Sequence, residues 1–229
     1  MDITTAMPIS FELFPPNTTQ GMQKLGQICD SLNAFRPDYF SVTFGAGGAN
    51  QDKTFCVVKL LLEQQLAVTP HLSCLGLSKE IIRQALNTYI EWGITRIVAI
   101  RGDLPAGAAA SPGDFQHADE LIQFIRKETG NHFHISIAAY PEFHPQSPNV
   151  FTALENFSRK VRAGANVAIT QYFFNPDAYF YFLESCAKAG ITIPIIPGIM
   201  PIYSCEKLLR FSNLCGAEVP AWLLKRLEA

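Results

Sequence analysis

The chain has 229 residues, 48% of them apolar and 17% charged, with a net charge of −2, so it can bury one sizeable core and carries no electrostatic footprint for nucleic acid or an anionic membrane. Its longest apolar run, residues 191–202, is broken by Pro194, Pro197 and Pro201 and is too short to span a bilayer. The opening MDITTAMPIS lacks a basic stretch followed by an apolar core, so no secretory signal is read there and a cytoplasmic protein is expected.

Taken in chain order, short β-branched runs alternate with segments of helical periodicity at intervals of about 25 to 35 residues. The first strand, residues 8–14, carries Glu12 near its end. Met22, Leu25, Ile28, Cys29, Leu32 and Phe35 then recur at three- and four-residue spacing, which predicts a helix with one packed face. A second strand at 39–44 ends on Thr43 and runs into Phe44-Gly45-Ala46-Gly47-Gly48, and a third at 68–74 contains His71. Ser78 and Gly93 bracket the next helix. The fourth strand, 96–100, is followed by Arg101-Gly102-Asp103 and by a stretch, 104–113, rich in Ala, Gly and Pro, which reads as a mobile active-site loop. The fifth strand, 133–138, leads to Tyr140 and the stiff loop Tyr140 to Pro145, after which a helix begins near Asn149 and closes on Arg159 and Lys160. The sixth strand, 167–173, bears Gln171; its helix has Asn175 as N-cap, Pro176 in the first position and Gly190 after the last turn. After a seventh strand at 192–197, Ser204 caps a helix ending near Gly216 and Pro220 opens another through Leu227.

Strands joined by helices imply a parallel sheet, doubly wound or closed into a barrel. The polar residues favour the barrel. Glu12, Thr43, His71, Arg101 with Asp103, Tyr140 and Gln171 sit at strand ends in six successive units, where a barrel gathers its chemistry, whereas a doubly wound sheet concentrates ligands at one switch point. The expected class is therefore α/β, a (β/α)8 TIM barrel with seven βα units present, forming a single domain over residues 1–229 that stops before an eighth strand.

Each chemical candidate also has a plain structural reading. Glu12 among large apolar neighbours would have a raised pKa suited to a general acid, or it is a strand-end carboxylate reaching water. Gly102 lets the backbone approach a ligand, yet Arg101 and Asp103 could form an ordinary loop ion pair. The glycines after Phe44 form either a ligand nest or a simple turn, and neither dinucleotide fingerprint occurs in the chain. His71 and His144 could face a ligand or serve the structure; His132 and His134 would share a strand face at its entry end, a poor metal site, and His117 has no evident partner. Arg159 and Lys160 complement a helix dipole without needing a ligand. The aromatic groups 172–174 and 179–182 are expected to pack the sixth strand and its helix. Six singly spaced cysteines imply reduced, mostly buried thiols rather than disulfides or zinc.

At these residues the chain resembles the bacterial 5,10-methylenetetrahydrofolate reductase family. The likeness runs from about Pro8 through Leu227 and is carried by SFELFPP, FSVTFGAGG, PHLSC, RIVAIRGDLP, AAYPEFHP, RKVRAGANVAITQYFF and IIPGIMPI, in that order. It implies a barrel that binds FAD without a Rossmann unit, takes hydride from NADH or NADPH, and passes it in a ping-pong cycle to a reduced folate, making 5-methyltetrahydrofolate for methionine synthesis. By this resemblance Glu12 is the general acid that assists opening of the folate five-membered ring to an iminium ion, and Asp103 lies close to flavin and pterin. Thr43, Phe44, Ala46, His71, Arg101, Gly102, Ala118, Tyr140, His144, Asn156, Arg159 and Lys160 align with flavin positions, the last two as partners of the pyrophosphate. Gln171 aligns with a glutamine that meets folate and nicotinamide in turn, and Phe211 with an aromatic covering the same pocket. No metal is implied, and homo-oligomers are common in the family.

Three departures accompany the match. Ala153 stands where the family commonly has an aspartate against FAD, and Lys207 where some members have a glutamine near the folate. The family also continues past Leu227 with a last strand and helix. A truncated, catalytically incompetent remnant or subunit is thus one alternative reading, and another FAD-dependent barrel oxidoreductase is a second.

Overall fold

A computed structural model describes residues 8–44, 51–102, 113–142 and 144–227. The chain divides into two compact units, Met1–His134 and Ile135–Ala229, and each follows the same plan: a parallel strand, a helix, and the next strand alongside.

The first unit holds β1 (Ser10–Leu13), α1 (Thr19–Asn33), β2 (Tyr39–Val42), α2 (Gln51–Glu63), β3 (Val68–Ser73), α3 (Lys79–Glu91), β4 (Arg96–Ile100) and α4 (Ala118–Thr129). Its strands pair in chain order, with Ser10 opposite Tyr39, Phe40 opposite Val68 and His71 opposite Val98. A parallel neighbour requires a crossover, and the amphipathic helices supply it. β2 and β3 are buried along their whole length, although Ser41, Thr69, His71 and Ser73 are polar. Phe40, Leu61, Leu72, Ile82, Leu86, Tyr89 and Ile97 are fully buried; each aliphatic side chain among them contributes roughly 1.5–3 kcal/mol on leaving water. Helix starts follow capping chemistry: the Thr18 hydroxyl accepts from Gly21 N and the Ser78 hydroxyl from Ile81 N, satisfying donors that have no partner within the helix.

The second unit contains β5 (His134–Ala139), α5 (Val150–Arg162), β6 (Val167–Thr170), α6 (Pro176–Lys188), β7 (Ile195–Ile196), α7 (Cys205–Cys215) and α8 (Ala221–Leu227). β5, β6 and β7 are again parallel neighbours, Ser136 lying opposite Val167 and Ala168 opposite Ile195. β7 is two residues long because Pro194 and Pro197 flank it and lack the N–H a ladder needs. Asn175 and Ser204 cap α6 and α7, and Gly216 ends α7 in the left-handed conformation. A small core of Tyr172, Leu208, Ala217 and Leu223 forms under α7 and α8. Among the described residues no helix is long and apolar enough to cross a membrane.

All seven expected strands are present, with differences at their edges. The strand expected at 167–173 stops at Thr170. The stripe expected on the first helix is too wide: Leu25 and Cys29 are buried, but Ile28 is 41% and Phe35 66% exposed. Phe35 lies beyond the end of α1, its ring edge-on to Phe11 at 6.4 Å. His132 precedes β5 instead of sharing its face with His134, and its Nε2 pairs with the Ile94 carbonyl at 3.0 Å. His117 does have a role, as the N-cap residue of α4. Of the aromatics on α6, Tyr179 stacks on Phe173 at 5.1 Å and Phe182 meets Phe157, whereas Phe180 and Tyr181 face outward. All six cysteines are free thiols.

Candidate active site

In the first unit the candidate residues lie at the carboxyl ends of β1 to β4. Glu12 is the penultimate residue of β1 and His71 lies two before the end of β3. The His71 Nε2 stands 3.6 Å from Glu12 Oε2. His71 is buried, and desolvation lowers its pKa to about 4, so its imidazole is neutral at pH 7. The Glu12 side chain is half exposed, yet partial desolvation raises its pKa above the usual carboxylate value. An ion pair would move both groups the other way; here loss of water outweighs attraction. His71 Nε2 has no hydrogen-bond partner among the described residues.

Thr43 follows β2, donating its N–H to the Leu13 carbonyl at 3.0 Å and accepting from the Thr54 hydroxyl through its own carbonyl. Phe44 beside it is buried. After β4 the Arg101 carbonyl acts as a hub, accepting from the Ser73 hydroxyl at 2.9 Å, Cys74 N at 3.2 Å and Leu75 N at 2.9 Å. The Arg101 Nε donates to the Gly102 carbonyl. Gly102 has φ +84, and a Cβ there would sit 1.9 Å from the Ser73 hydroxyl, so only glycine fits. Ala118 is the first residue of α4, and the Glu120 carboxylate reaches back to Gln116 N at 2.7 Å. Ala46, Asp103, the glycines at 45, 47 and 48, and residues 104–112 of the expected mobile loop lie outside the described residues.

The second unit has its own group. Tyr140 follows β5, with its ring edge-on to the His144 imidazole at 4.5 Å; His144 Nδ1 accepts from Gln146 N at 3.1 Å. Asn156, Arg159 and Lys160 lie on α5. Three- and four-residue spacing puts Ala153, Asn156 and Lys160 on one face. Lys160 Nζ donates to the Ala138 carbonyl of β5 and lies 5.5 Å over the Phe157 ring. Gln171 follows β6: its N–H donates to the Ala139 carbonyl at 2.8 Å, and its side-chain oxygen accepts from Tyr172 N at 3.0 Å. Phe211, on α7, is 43% exposed and stacks on Tyr172 at 6.2 Å. Lys207 is exposed on the same helix.

Two polar groups here gave no signal in the spacing of the sequence. Glu142, in the loop after β5, accepts from Glu218 N at 2.8 Å, and burial raises its pKa. The Tyr172 hydroxyl is hydrogen-bonded to Ser212 across forty residues of chain; only a fold shows that such positions meet.

The two groups can be matched against the chemistry of a flavin and a folate. The His71 nitrogen, buried with no hydrogen-bond partner among the described residues, suits a polar ligand atom, Arg159 and Lys160 suit phosphate oxygens, and the neighbouring Tyr140 and His144 rings suit a planar group.

Comparisons with known proteins identify the family. The family model described as "Methylenetetrahydrofolate reductase" matches residues 2–229. The chain is 38% identical over 221 residues to the 5,10-methylenetetrahydrofolate reductase of Escherichia coli (strain K12), covering 96% of this chain and 73% of that one. It is 39% identical to the Salmonella typhimurium protein of the same name, with the same coverage. A rice protein named "Probable methylenetetrahydrofolate reductase (NADH)" is 36% identical over 96% of this chain and 39% of its own length. Among solved structures, a Clostridium thermocellum protein described as binding two copies of 5-methyl-5,6,7,8-tetrahydrofolic acid superposes with a TM-score of 0.72 at 17% identity, covering 97% of this chain and 76% of that one. That likeness shows the fold, an α/β chain of the (β/α)8 barrel class with seven βα units among the described residues.

Proposed function

We propose that this chain, which belongs to the methylenetetrahydrofolate reductase family, reduces 5,10-methylenetetrahydrofolate to 5-methyltetrahydrofolate in a ping-pong cycle, with FAD as resident cofactor and NADH or NADPH as reductant. The observation that carries the reading is Glu12: a carboxyl at the end of β1, 3.6 Å from a neutral histidine and with its pKa raised by burial.

Partial desolvation disfavours the ionised form of Glu12, and a neutral His71 offers no cation to compensate. Glu12 donates its proton to the folate nitrogen that leaves when the five-membered ring opens. The ring carbon becomes an electrophilic iminium, and no unstable nitrogen anion has to be expelled. Bound FAD supplies the two-electron hydride exchange between nicotinamide and folate.

The remaining residues bind and orient. His71 Nε2 takes a polar atom of the flavin, a role supported by its burial without a partner among the described residues. By family likeness Thr43, Phe44, Arg101, Gly102 and Ala118 are flavin contacts. By the same likeness Tyr140, His144 and Asn156 are flavin contacts, with Arg159 and Lys160 as partners of the pyrophosphate. Ala46 and Asp103 complete the set by family likeness, Asp103 with a negative charge that favours the cationic folate intermediate. Gln171 contacts folate and nicotinamide in turn, and the half-exposed ring of Phe211 covers them.

The test is the visible spectrum of the purified chain before and after NADH is added without oxygen. A yellow protein that bleaches, and regains its colour with methylenetetrahydrofolate, is the expected result. A colourless protein that also fails to bind added FAD would contradict the reading.

A further inference from the structure

We propose that Tyr172 is a positioning residue for the folate-side pair Gln171 and Phe211, acting through its hydroxyl's hydrogen bond to Ser212. This rests on the reading of Gln171 and Phe211 as substrate contacts. Tyr172 is buried in the second unit. Its backbone N–H donates to the side-chain oxygen of Gln171 at 3.0 Å, its ring stacks on Phe211 at 6.2 Å with an interplanar angle of 23°, and its hydroxyl lies 2.9 Å from Ser212 Oγ. The Cys215 thiol lies within reach of the same phenol oxygen, at 3.3 Å.

One side chain therefore joins two elements. Its backbone belongs to the segment leaving β6, while its hydroxyl is tied to the residue that follows Phe211 on α7. The bond is buried, where a directional contact is stronger than in water. A plain aromatic in this place would keep the stacking and the volume, but α7 could then rotate or slide against β6. The Phe211 ring is half exposed, so its position over a substrate depends on Tyr172 beneath it and on the helix that carries it. Ser212 needs no other reason to be polar: it is buried, and an alanine would pack at that helix position equally well.

The experiment compares Tyr172→Phe, Ser212→Ala and Phe211→Ala, alone and combined, in the flavin-loaded enzyme, reading the folate KM, kcat and thermal midpoint of each. Tyr172→Phe and Ser212→Ala are each expected to raise the folate KM about tenfold, the equivalent of about 1.4 kcal/mol, with kcat changed less than threefold. Because both remove the same bond, the double variant should resemble either single one. In a Phe211→Ala background Tyr172→Phe should alter the KM by less than about twofold, since Gln171 is still held by the backbone N–H that the substitution keeps and the ring to be positioned is gone. If Tyr172→Phe lowers the thermal midpoint but leaves the folate KM within twofold, or if its effect adds in full to that of Phe211→Ala, the residue is structural and the proposal is overturned. If Phe211→Ala and Gln171→Ala both leave the folate KM unchanged, it is the substrate-contact reading beneath the proposal that fails.

Discussion

His71 Nε2 stands 3.6 Å from Glu12 Oε2, and the two groups shift away from each other in charge rather than toward an ion pair. The imidazole is driven neutral and the carboxyl is driven toward its protonated form, both by loss of water. This differs from a salt bridge in what it can do. A salt bridge would hold Glu12 ionised and unable to donate, whereas a neutral neighbour leaves it a usable acid.

The same pair makes opposite contributions to stability as pH changes. His71 has a folded pKa lowered from 6.5 to about 4, so its contribution is complete above pH 6.5 and lost as pH falls toward 4; at about 1.4 kcal/mol per pH unit this is about 3 kcal/mol. Glu12, with its folded pKa raised, costs nothing while protonated and becomes a burden as pH rises through that value. Urea unfolding of wild type and His71→Asn between pH 4 and 7 should therefore give curves that converge toward the acid end. Parallel curves would mean that His71 is not buried neutral.

Gly102→Ala should be among the most damaging single changes in the first unit. The φ of +84 disfavours any side chain, and the new Cβ would meet the Ser73 hydroxyl at 1.9 Å, breaking its bond to the Arg101 carbonyl. We expect a loss of about 2–4 kcal/mol in denaturant unfolding together with weaker flavin retention. A loss below about 0.5 kcal/mol would show that the turn relaxes freely.

Arg159→Gln and Lys160→Gln should each weaken FAD binding by roughly tenfold or more, the scale of a charge-assisted hydrogen bond to phosphate. Rising salt should weaken wild-type binding more than that of either variant. Equilibrium titration of the flavin-free protein measures both effects, and unchanged affinity in both variants would return these residues to a purely dipole-capping role at the end of α5.

Much of this architecture is legible in the sequence because it is local. Asn175, Ser78 and Ser204 mark helix starts through bonds spanning only two or three residues, and the alternation of short strand runs with helical periods gives the βα order. Glu12 and His71 can be placed at strand ends by counting. What counting leaves out is side-chain reach across the chain: the Ser73 hydroxyl on the Arg101 carbonyl, His132 on Ile94, and Tyr172 on Ser212 each join residues 28 to 40 apart. Burial on the first helix fails for a different reason. A periodic stripe predicts which side faces the sheet, but its width depends on the neighbour, so Ile28 and Phe35 remain exposed.

The most direct measurement of the central claim separates the two half-reactions of Glu12→Gln in a stopped-flow instrument. Glutamine keeps the shape and removes the proton. NADH should still reduce the bound flavin at a rate within about threefold of wild type, whereas reduction of methylenetetrahydrofolate should fall by about 10²–10⁴, the usual contribution of a general acid. In the wild type that second step alone should slow as pH rises through the raised pKa of Glu12. A variant that still reduces the folate within tenfold of the wild-type rate would contradict the assignment of Glu12 as the acid.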